Sequence, residues 1–392
     1  MAIEMTLRLC LLSPLALHRT RAGVQYVETL DYIPGMALRG ALAEAYLAKH
    51  GQPDHTFDAL LLSEQVRYGD LWPTVQDKST TLIPATAQAC KRHGLQHADS
   101  FRDSLLDALA PYPHDGNCPQ CKEPLDKTGG GYLRDIQAVA QLRPRSRLRV
   151  STAIERGTGT VAREMLFTQH TLTGSLKDNS QKDNSKHDLL FQGTLRLADP
   201  TLRSVLDPLV KTGTRLFLGS GRSRGLGEVE IKAWQKAVSG NALSERWQKF
   251  NEAAQRAGGD PNMRYFSLTL LSHLALRDDL LRPVLSEIGP QHFGLPDGVD
   301  WVRYPDSGQA TRFVDKITVA GWNAALGLPK PDTVALARGS VLLFCCVPSQ
   351  EQAVLTRLAE IEAEGIGERR SEGFGCVAAC YPIHYECWEG EQ

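Results

Sequence analysis

The chain has 392 residues, 42% hydrophobic and 23% charged, long enough for two or three domains that each bury a core. A formal net charge of −1 excludes a protein that coats nucleic acid with its whole surface, so any polyanion binding must come from local clusters of arginine. No stretch approaches the length of a membrane-spanning helix. Residues 1–17, broken by Glu4 and Arg8, read as a first strand and not as a secretory signal, which implies a cytoplasmic protein with no membrane partner.

In chain order, residues 3–12 read as a strand, Ile33-Pro34-Gly35 as a turn, and residues 36–49 as a helix with Arg39 near its start. Residues 85–135 carry little apolar periodicity but hold Cys90, His93, His97, Cys118 and Cys121. A basic stretch follows, Arg134, Arg143, Arg145, Arg147, Arg149 and Arg156, whose alternate arginines from 143 to 149 would share one face of an extended segment. Strands are expected at 148–154, 164–172, 189–197 and 214–218, and a helix at 200–211. Between them Lys-Asp-Asn-Ser occurs twice, at 177–180 and 182–185, as in a polar hairpin tip. A polar helix near 241–257 and the breaker Gly258-Gly-Asp-Pro261 precede a new apolar run from Tyr265, which places a domain boundary there. The expected domains are 1–240, with an insertion at about 85–135, and 260–392.

Two loops stand out, Gly219-Ser-Gly221-Arg222-Ser-Arg224-Gly225-Leu-Gly227 and Gly365-Ile-Gly367-Glu-Arg369-Arg370-Ser-Glu-Gly373-Phe-Gly375. Each opens into an apolar-alternating segment, so one element is used twice and a repeated unit is implied. A dinucleotide fingerprint is excluded by order, because it needs strand, loop and then helix. Glycines permit positive φ and close approach of another backbone, and arginines present fixed forks of donors suited to phosphate, so a polyanion is the expected ligand.

Cysteine use points to thiols or metal ligands. Cys345 and Cys346 lie in an apolar run and read as small buried hydrophobes. Cys376 and Cys380, on an expected strand, would stand roughly 13 Å apart, too far for one ion with His384 and Cys387. Cys118-Pro-Gln-Cys121 is a knuckle whose two thiolates can face one tetrahedral zinc, with Cys90 as the third ligand and His97, preferred, or His93 as the fourth. Four protein ligands make the site structural, stapling 85–135.

Several motifs together carry a family resemblance. Ile33-Pro-Gly-Met-Ala-Leu-Arg39-Gly, Ile154-Glu-Arg156-Gly-Thr-Gly-Thr160 leading to Met165-Leu-Phe167, and the first glycine loop resemble successive motifs of the RAMP superfamily of CRISPR effector subunits. Leu268-Thr-Leu-Leu-Ser-His-Leu-Ala-Leu-Arg-Asp278, Gly321-Trp-Asn-Ala-Ala-Leu-Gly-Leu-Pro329-Lys330, Gly339-Ser340 and the second glycine loop resemble the Csx-ten family, the double-domain, Cas-five-like subunit of type III-D systems. The resemblance implies an α+β fold of tandem ferredoxin-like, RNA-recognition-type (RAMP) domains with a zinc-stapled insertion. It also implies a non-catalytic subunit that binds the crRNA 5′ handle and caps an antiviral effector complex. Its partners would then be the large polymerase-like subunit and the backbone RAMP subunits. Arg39, Arg156, Gly219, Gly221, Arg222, Arg224, Gly225, Gly227, Gly367, Arg369, Arg370, Gly373 and Gly375 are the expected RNA contacts.

Two alternatives compete. An endoribonuclease on this fold would need a group at the scissile phosphate, for which His18, beside Arg19 and Arg21, is the candidate; target cleavage would want an acid before Ile33, where Glu28 and Asp31 lie. An acid at Asp31 would more simply cap the Pro-Gly turn. No tight Asp/Glu cluster exists for two metals, and no histidine is placed by motif against a glycine loop, so the expected role is to hold RNA without cutting it. The other alternative is a zinc-stapled scaffold that never touches RNA.

Overall fold

The structure, a computed structural model, describes residues 2–18, 26–75, 80–110, 116–176, 189–238, 240, 242–323 and 326–388. Arg19, Arg21 and the two Lys-Asp-Asn-Ser repeats lie outside these residues.

The first unit is built on strand β1 (Ile3–Leu11), whose alternate residues Met5, Leu7 and Leu9 are fully buried while their neighbours stay accessible. After a chain reversal, α1 (Gly35–His50) buries Leu38, Ala41, Leu42 and Tyr46 against the sheet. Its start is fixed from outside the helix, because the Gly35 N–H donates to Asp70 Oδ1 at 2.9 Å. Strands β2 (Val66–Tyr68) and β3 (Trp72–Val75) follow, both pairing with the later strand Leu189–Leu197. The chain then makes β4 (Ala87–Cys90) of the insertion and a long ribbon, β5 (Pro144–Ile154) and β6 (Val161–Leu176), before returning as β7 (Leu189–Leu197). The expected helix at 200–211 is α-helical only over Leu202–Leu206. Short β8 (Arg215–Phe217) and β9 (Glu228–Lys236) close the unit, giving the antiparallel order β8-β9-β1-β7-β2. Within it β9-β1-β7-β2 is the ferredoxin-like order.

The second unit repeats this plan. Helix α2 (Leu243–Arg256) buries Trp247, Phe250, Ala253 and Ala254 in the second core, so on packing it belongs with the following strands and not with a linker. Strand β10 (Arg264–Leu270) occupies the sheet centre. A second ribbon, β11 (Lys316–Asn323) and β12 (Leu328–Leu336), precedes β13 (Val341–Cys346), α3 (Glu351–Glu364) and β14 (Val377–Ala379). The sheet runs Asp300–Trp301, β13, β10, β14, the same order as in the first unit. Cys346 is fully buried and Cys345 partly so.

Residues 85–135 do more than surround a metal site. Leu105, Leu106 and Ala108 insert into the second core, and Ala87, Phe101 and Leu133, with Ile83 just ahead of the segment, pack with Ala378, Tyr381 and Ile383. A buried polar chain runs alongside: Thr269 Oγ1 lies 2.8 Å from His384 Nε2, and His384 Nδ1 lies 3.0 Å from Asp103 Oδ1, whose second oxygen takes the Thr86 hydroxyl. The segment is therefore held by packing against the second unit as well as by any metal staple. Its apolar residues are few because they plug another unit's core instead of forming their own.

Candidate nucleic-acid interface and metal cluster

The two glycine loops match position for position. Each is a single 3₁₀ turn flanked by left-handed residues: Gly219, Gly221, Gly225 and Gly227 have φ of 70°, 78°, 77° and 85°, and Gly367, Arg369, Gly373 and Gly375 have 79°, 58°, 92° and 74°. Equivalent bonds close them, Leu218 N–H to Gly227 O at 2.9 Å and Ile366 N–H to Gly375 O at 3.0 Å. Each loop also docks on an equivalent strand exit. Ser220 and Gly227 donate to the carbonyls of Ala16 and Pro14, while Glu368 and Gly375 donate to those of Ala275 and His273. These exits, Leu12-Ser-Pro-Leu-Ala-Leu17 and Leu271-Ser-His-Leu-Ala-Leu276, are a second sequence repeat that the loop comparison missed.

The docking explains the outer glycines. A Cβ on Gly219 would sit 2.2 Å from the Ala16 carbonyl oxygen, and one on Gly367 2.4 Å from that of Ala275. The backbone that comes close is the protein's own, and not that of RNA as the sequence suggests. Gly225, by contrast, faces open space at the tip of the first loop.

The side chains of the two loops have diverged. In the second loop Arg369 stacks over Phe374 at 4.5 Å, donates to Thr333 at 2.8 Å, and forms an ion pair with Glu372. Glu372 also holds Lys330 at 2.7 Å and, from α1 of the first unit, Arg39 at 3.4 Å. Arg370 pairs with Glu64, and Arg67 donates to the Ala363 carbonyl, again across the units. Arg39, Arg369 and Arg370 were expected on an RNA surface; the structure puts them in the seam between units, each on a carboxylate. Burial alone would raise the Glu372 carboxyl, but Arg369 and Lys330 outweigh it and hold it below its ordinary range.

In the first loop Arg222 pairs with Glu44, whereas Arg224 is exposed and has no acidic partner among the described residues. Behind Arg224 lies a polar trio: His18 Nε2 is 2.8 Å from Gln169 Nε2 and 2.9 Å from Ser220 Oγ, and Gln169 Nε2 is 3.3 Å from Ser220 Oγ. Burial, then the Arg224 charge, hold the His18 imidazole below its ordinary pKa, so it is neutral near pH 7. No motif places a histidine against a glycine loop, yet the fold does so here. His18 is brought there by the strand exit that the loop clasps, a contact no local motif encodes.

Gln169 comes from the ribbon, and there it is paired directly with Arg149, as Thr171 is with Arg147. Directly opposed residues of an antiparallel pair share a face, so Arg147 and Arg149 lie on the face that carries Gln169. Arg143, Arg145, Arg147, Arg149 and Arg156 are all exposed; Arg156 sits at the ribbon's turn. The opposite face shows Leu148, Val150 and Leu166, each more than half exposed. Arg134 stands apart, on the insertion strand Tyr132–Asp135.

Asp31 neither caps the Pro-Gly turn, a role taken by Asp70, nor stands free. It pairs with Arg338 at 2.7 Å, and that guanidinium stacks on Tyr32 at 3.7 Å and also donates to the Tyr132 hydroxyl. First unit, second unit and insertion meet on this one side chain. Glu28 is exposed.

Cys90, His97, Cys118 and Cys121 converge, with all four ligand atoms within 4.8 Å of one another. Cys90 and Cys121 sulfurs are 3.5 Å apart, and His97 Nδ1 is 3.4 Å from Cys118 Sγ. Edges of a tetrahedron with zinc–sulfur bonds of about 2.3 Å are about 3.8 Å long, so this group could hold a metal ion of that size. His93, the alternative fourth ligand, instead stacks on the His97 ring at 4.2 Å. The knuckle is tied locally: Lys122, left-handed at φ 61°, donates to the Cys118 carbonyl, and the Cys118 N–H to Glu123. Burial opposes ionisation of Cys118, yet N–H groups of Cys121 and Gln120 and the His97 ring bring its thiol down to about 6. Among the described residues this is the one such cluster of three or more ligands.

No protein-family model and no curated protein matches the chain. Among solved structures it is similar to a chain in the cryo-EM structure of the type III-B Cmr-beta bound to cognate target RNA and AMPPnP, with 13% identity over 86% of each chain and a TM-score of 0.44. It is also similar to a chain of Cmr-beta bound to cognate target RNA, with 12% identity over 86% of each chain and a TM-score of 0.44. A chain of the apo state matches at 10% identity over 59% of this chain and 97% of that one, with a TM-score of 0.32.

Proposed function

We propose that this chain is a non-catalytic RNA-binding subunit of a type III CRISPR effector complex, of the III-D kind, which holds the crRNA 5′ handle and caps the assembly. The observation that carries the reading is the first unit's combination of an exposed glycine-loop tip, an Arg224 with no acidic partner among the described residues, and a ribbon face bearing Arg147 and Arg149. Such a surface offers phosphate-binding cations beside backbone that a single strand can approach. The near-neutral net charge agrees with a subunit that binds RNA on one surface and protein neighbours elsewhere. The Cys/His cluster would hold a structural zinc; with four protein donors it leaves no open position for a water, so its contribution is to fold the knuckle and its surroundings.

The test is binding of the full chain to a short RNA of the repeat-derived handle across a salt series, with assembled complexes made in parallel. Salt-sensitive binding that falls on Arg147→Ala and Arg149→Ala is expected; salt-independent binding, or none in either format, would return the chain to the scaffold reading. His18 against the glycine loop gives the endoribonuclease reading its one favourable observation, and incubation of the same RNA with the protein, followed by sizing of the products, separates the two.

A further inference from the structure

We propose that His18, Gln169 and Ser220 form a ribose site that reads the 2′-hydroxyl of one nucleotide; this rests on the RNA-binding reading above. In this orientation of the Gln169 amide, Nε2 faces His18 Nε2 and can only donate, so His18 Nε2 accepts, as in the neutral tautomer with its proton on Nδ1. That nitrogen has one lone pair, 2.8 Å from the Gln169 amide and 2.9 Å from the Ser220 hydroxyl, and Ser220 Oγ accepts from Gln169 Nε2 at 3.3 Å, so the trio takes up two of the three hydrogens that the amide and the hydroxyl carry. One hydrogen is therefore left over for an outside acceptor. Gln169 Oε1 is also unpartnered among the described residues, and supplies an acceptor beside that donor.

A neighbouring donor and acceptor of no net charge suit a hydroxyl, which can satisfy both, while the C2′ methylene of a deoxyribose satisfies neither. The flanking groups suit the rest of a nucleotide. Arg224 on the loop and Arg149 opposite Gln169 supply cations for phosphates next to the sugar. The same geometry disfavours catalysis, since the basic imidazole nitrogen is already occupied and is turned to Gln169 instead of outward.

The second unit provides an internal control. The position of His18 is taken there by Arg277 and that of Ser220 by Glu368, and the two form an ion pair at 2.7 Å. Donor and acceptor there are paired with one another, and Thr333, on the second ribbon's returning strand, is committed to Arg369. The same frame thus carries an uncharged trio in one copy and an internal ion pair in the other.

The experiment uses the full chain, a short single-stranded handle-sequence RNA, and DNA of the same sequence. A single 2′-deoxynucleotide is also walked through the RNA. Wild type should prefer RNA, and one deoxy position should cost about fivefold in affinity, the scale of a single hydrogen bond. In His18→Ala, Gln169→Ala and Ser220→Ala that position should lose its effect while DNA affinity stays level. Arg224→Ala should weaken RNA and DNA alike, whereas Arg277→Ala and Glu368→Ala should leave the RNA-to-DNA ratio unchanged. Because the deoxy walk is done on wild type, a variant that misfolds does not shield the idea: no sensitive position, or one that persists in all three variants, overturns it. Shortened RNA that disappears in His18→Ala overturns it as well, in favour of a catalytic histidine. If wild type binds neither RNA nor DNA, it is the RNA-binding reading itself that falls.

Discussion

Glu372→Gln tests whether the second glycine loop is a seam. The substitution keeps shape and one acceptor oxygen but removes the negative charge that Arg369, Lys330 and Arg39 share at distances up to 3.4 Å. Glu372 is only 10% exposed, and its three cations lie between 19% and 25%, so water can compensate them only in part. Removing one partner of a largely buried ion cluster costs about 3–5 kcal/mol; partial exposure and the retained hydrogen bond reduce this to about 2–3 kcal/mol. Because Arg39 reaches Glu372 from the first unit, the loss falls on docking between units. Urea unfolding followed by tryptophan fluorescence should then separate into two transitions, Trp72 and Trp234 reporting the first unit and Trp247 and Trp301 the second. RNA affinity of protein still folded should stay within about twofold. Unchanged stability together with lost RNA binding would refute the reasoning and return Arg369 to the RNA surface.

The remaining predictions address charge, pH and metal. Arg224→Ala should lower the slope of log affinity against log salt by about 0.7, one phosphate contact on a single strand, while Arg370→Ala should leave the slope unchanged; a salt series on both variants decides this. The folded Glu372 pKa lies below its unfolded value, so its stabilisation is complete above about pH 4.3 and is lost as pH falls through the folded value. The acid arm of a stability-against-pH curve should therefore flatten in Glu372→Gln. Cys118→Ser with Cys121→Ser should abolish about one bound zinc per chain by metal analysis. Amide exchange should rise in residues 90–97 and 116–125 but not at Leu105 and Leu106, which the second core holds.

Much of the fold was legible because its signals are local. Strand Leu189–Leu197 carries Leu189, Phe191, Leu195 and Leu197 on one face, α1 follows a Pro-Gly turn, and the glycine loops announce a repeat. The Cys/His cluster was legible too, since Cys-x-x-Cys fixes two ligands at once, though only geometry separates His97 from His93. What escaped depends on contacts between distant segments. Strands Val66–Tyr68 and Trp72–Val75 are too short to show a period, and the pairing of Arg369 with Glu372 looks in sequence like any charged loop. His18 needed three elements to come together: a strand exit, the ribbon that brings Gln169 and the loop that brings Ser220.

The duplication also explains how one loop motif can serve opposite ends. In both copies the backbone bonds that hold the loop to its strand exit use main-chain N–H and C=O groups, so they survive any change of side chain that spares the close-approach glycines. The side chains are consequently free to diverge. Where an acid enters, as Glu372 does in the second copy, it holds Arg369 of its own loop and Arg39 of the first unit, and the loop becomes an adhesive surface between units. Where the positions matching Glu368 and Glu372 are Ser220 and Arg224, no acid pairs with Arg224 among the described residues, and its charge remains available to solvent and ligands. Placing Glu at 220 and Arg at 18 should therefore transplant the second copy's ion pair into the first. The expected protein keeps its fold, because the backbone docking is untouched, yet loses RNA-over-DNA preference. Unaltered preference in a folded Ser220→Glu/His18→Arg variant would mean that these positions do not face the ligand.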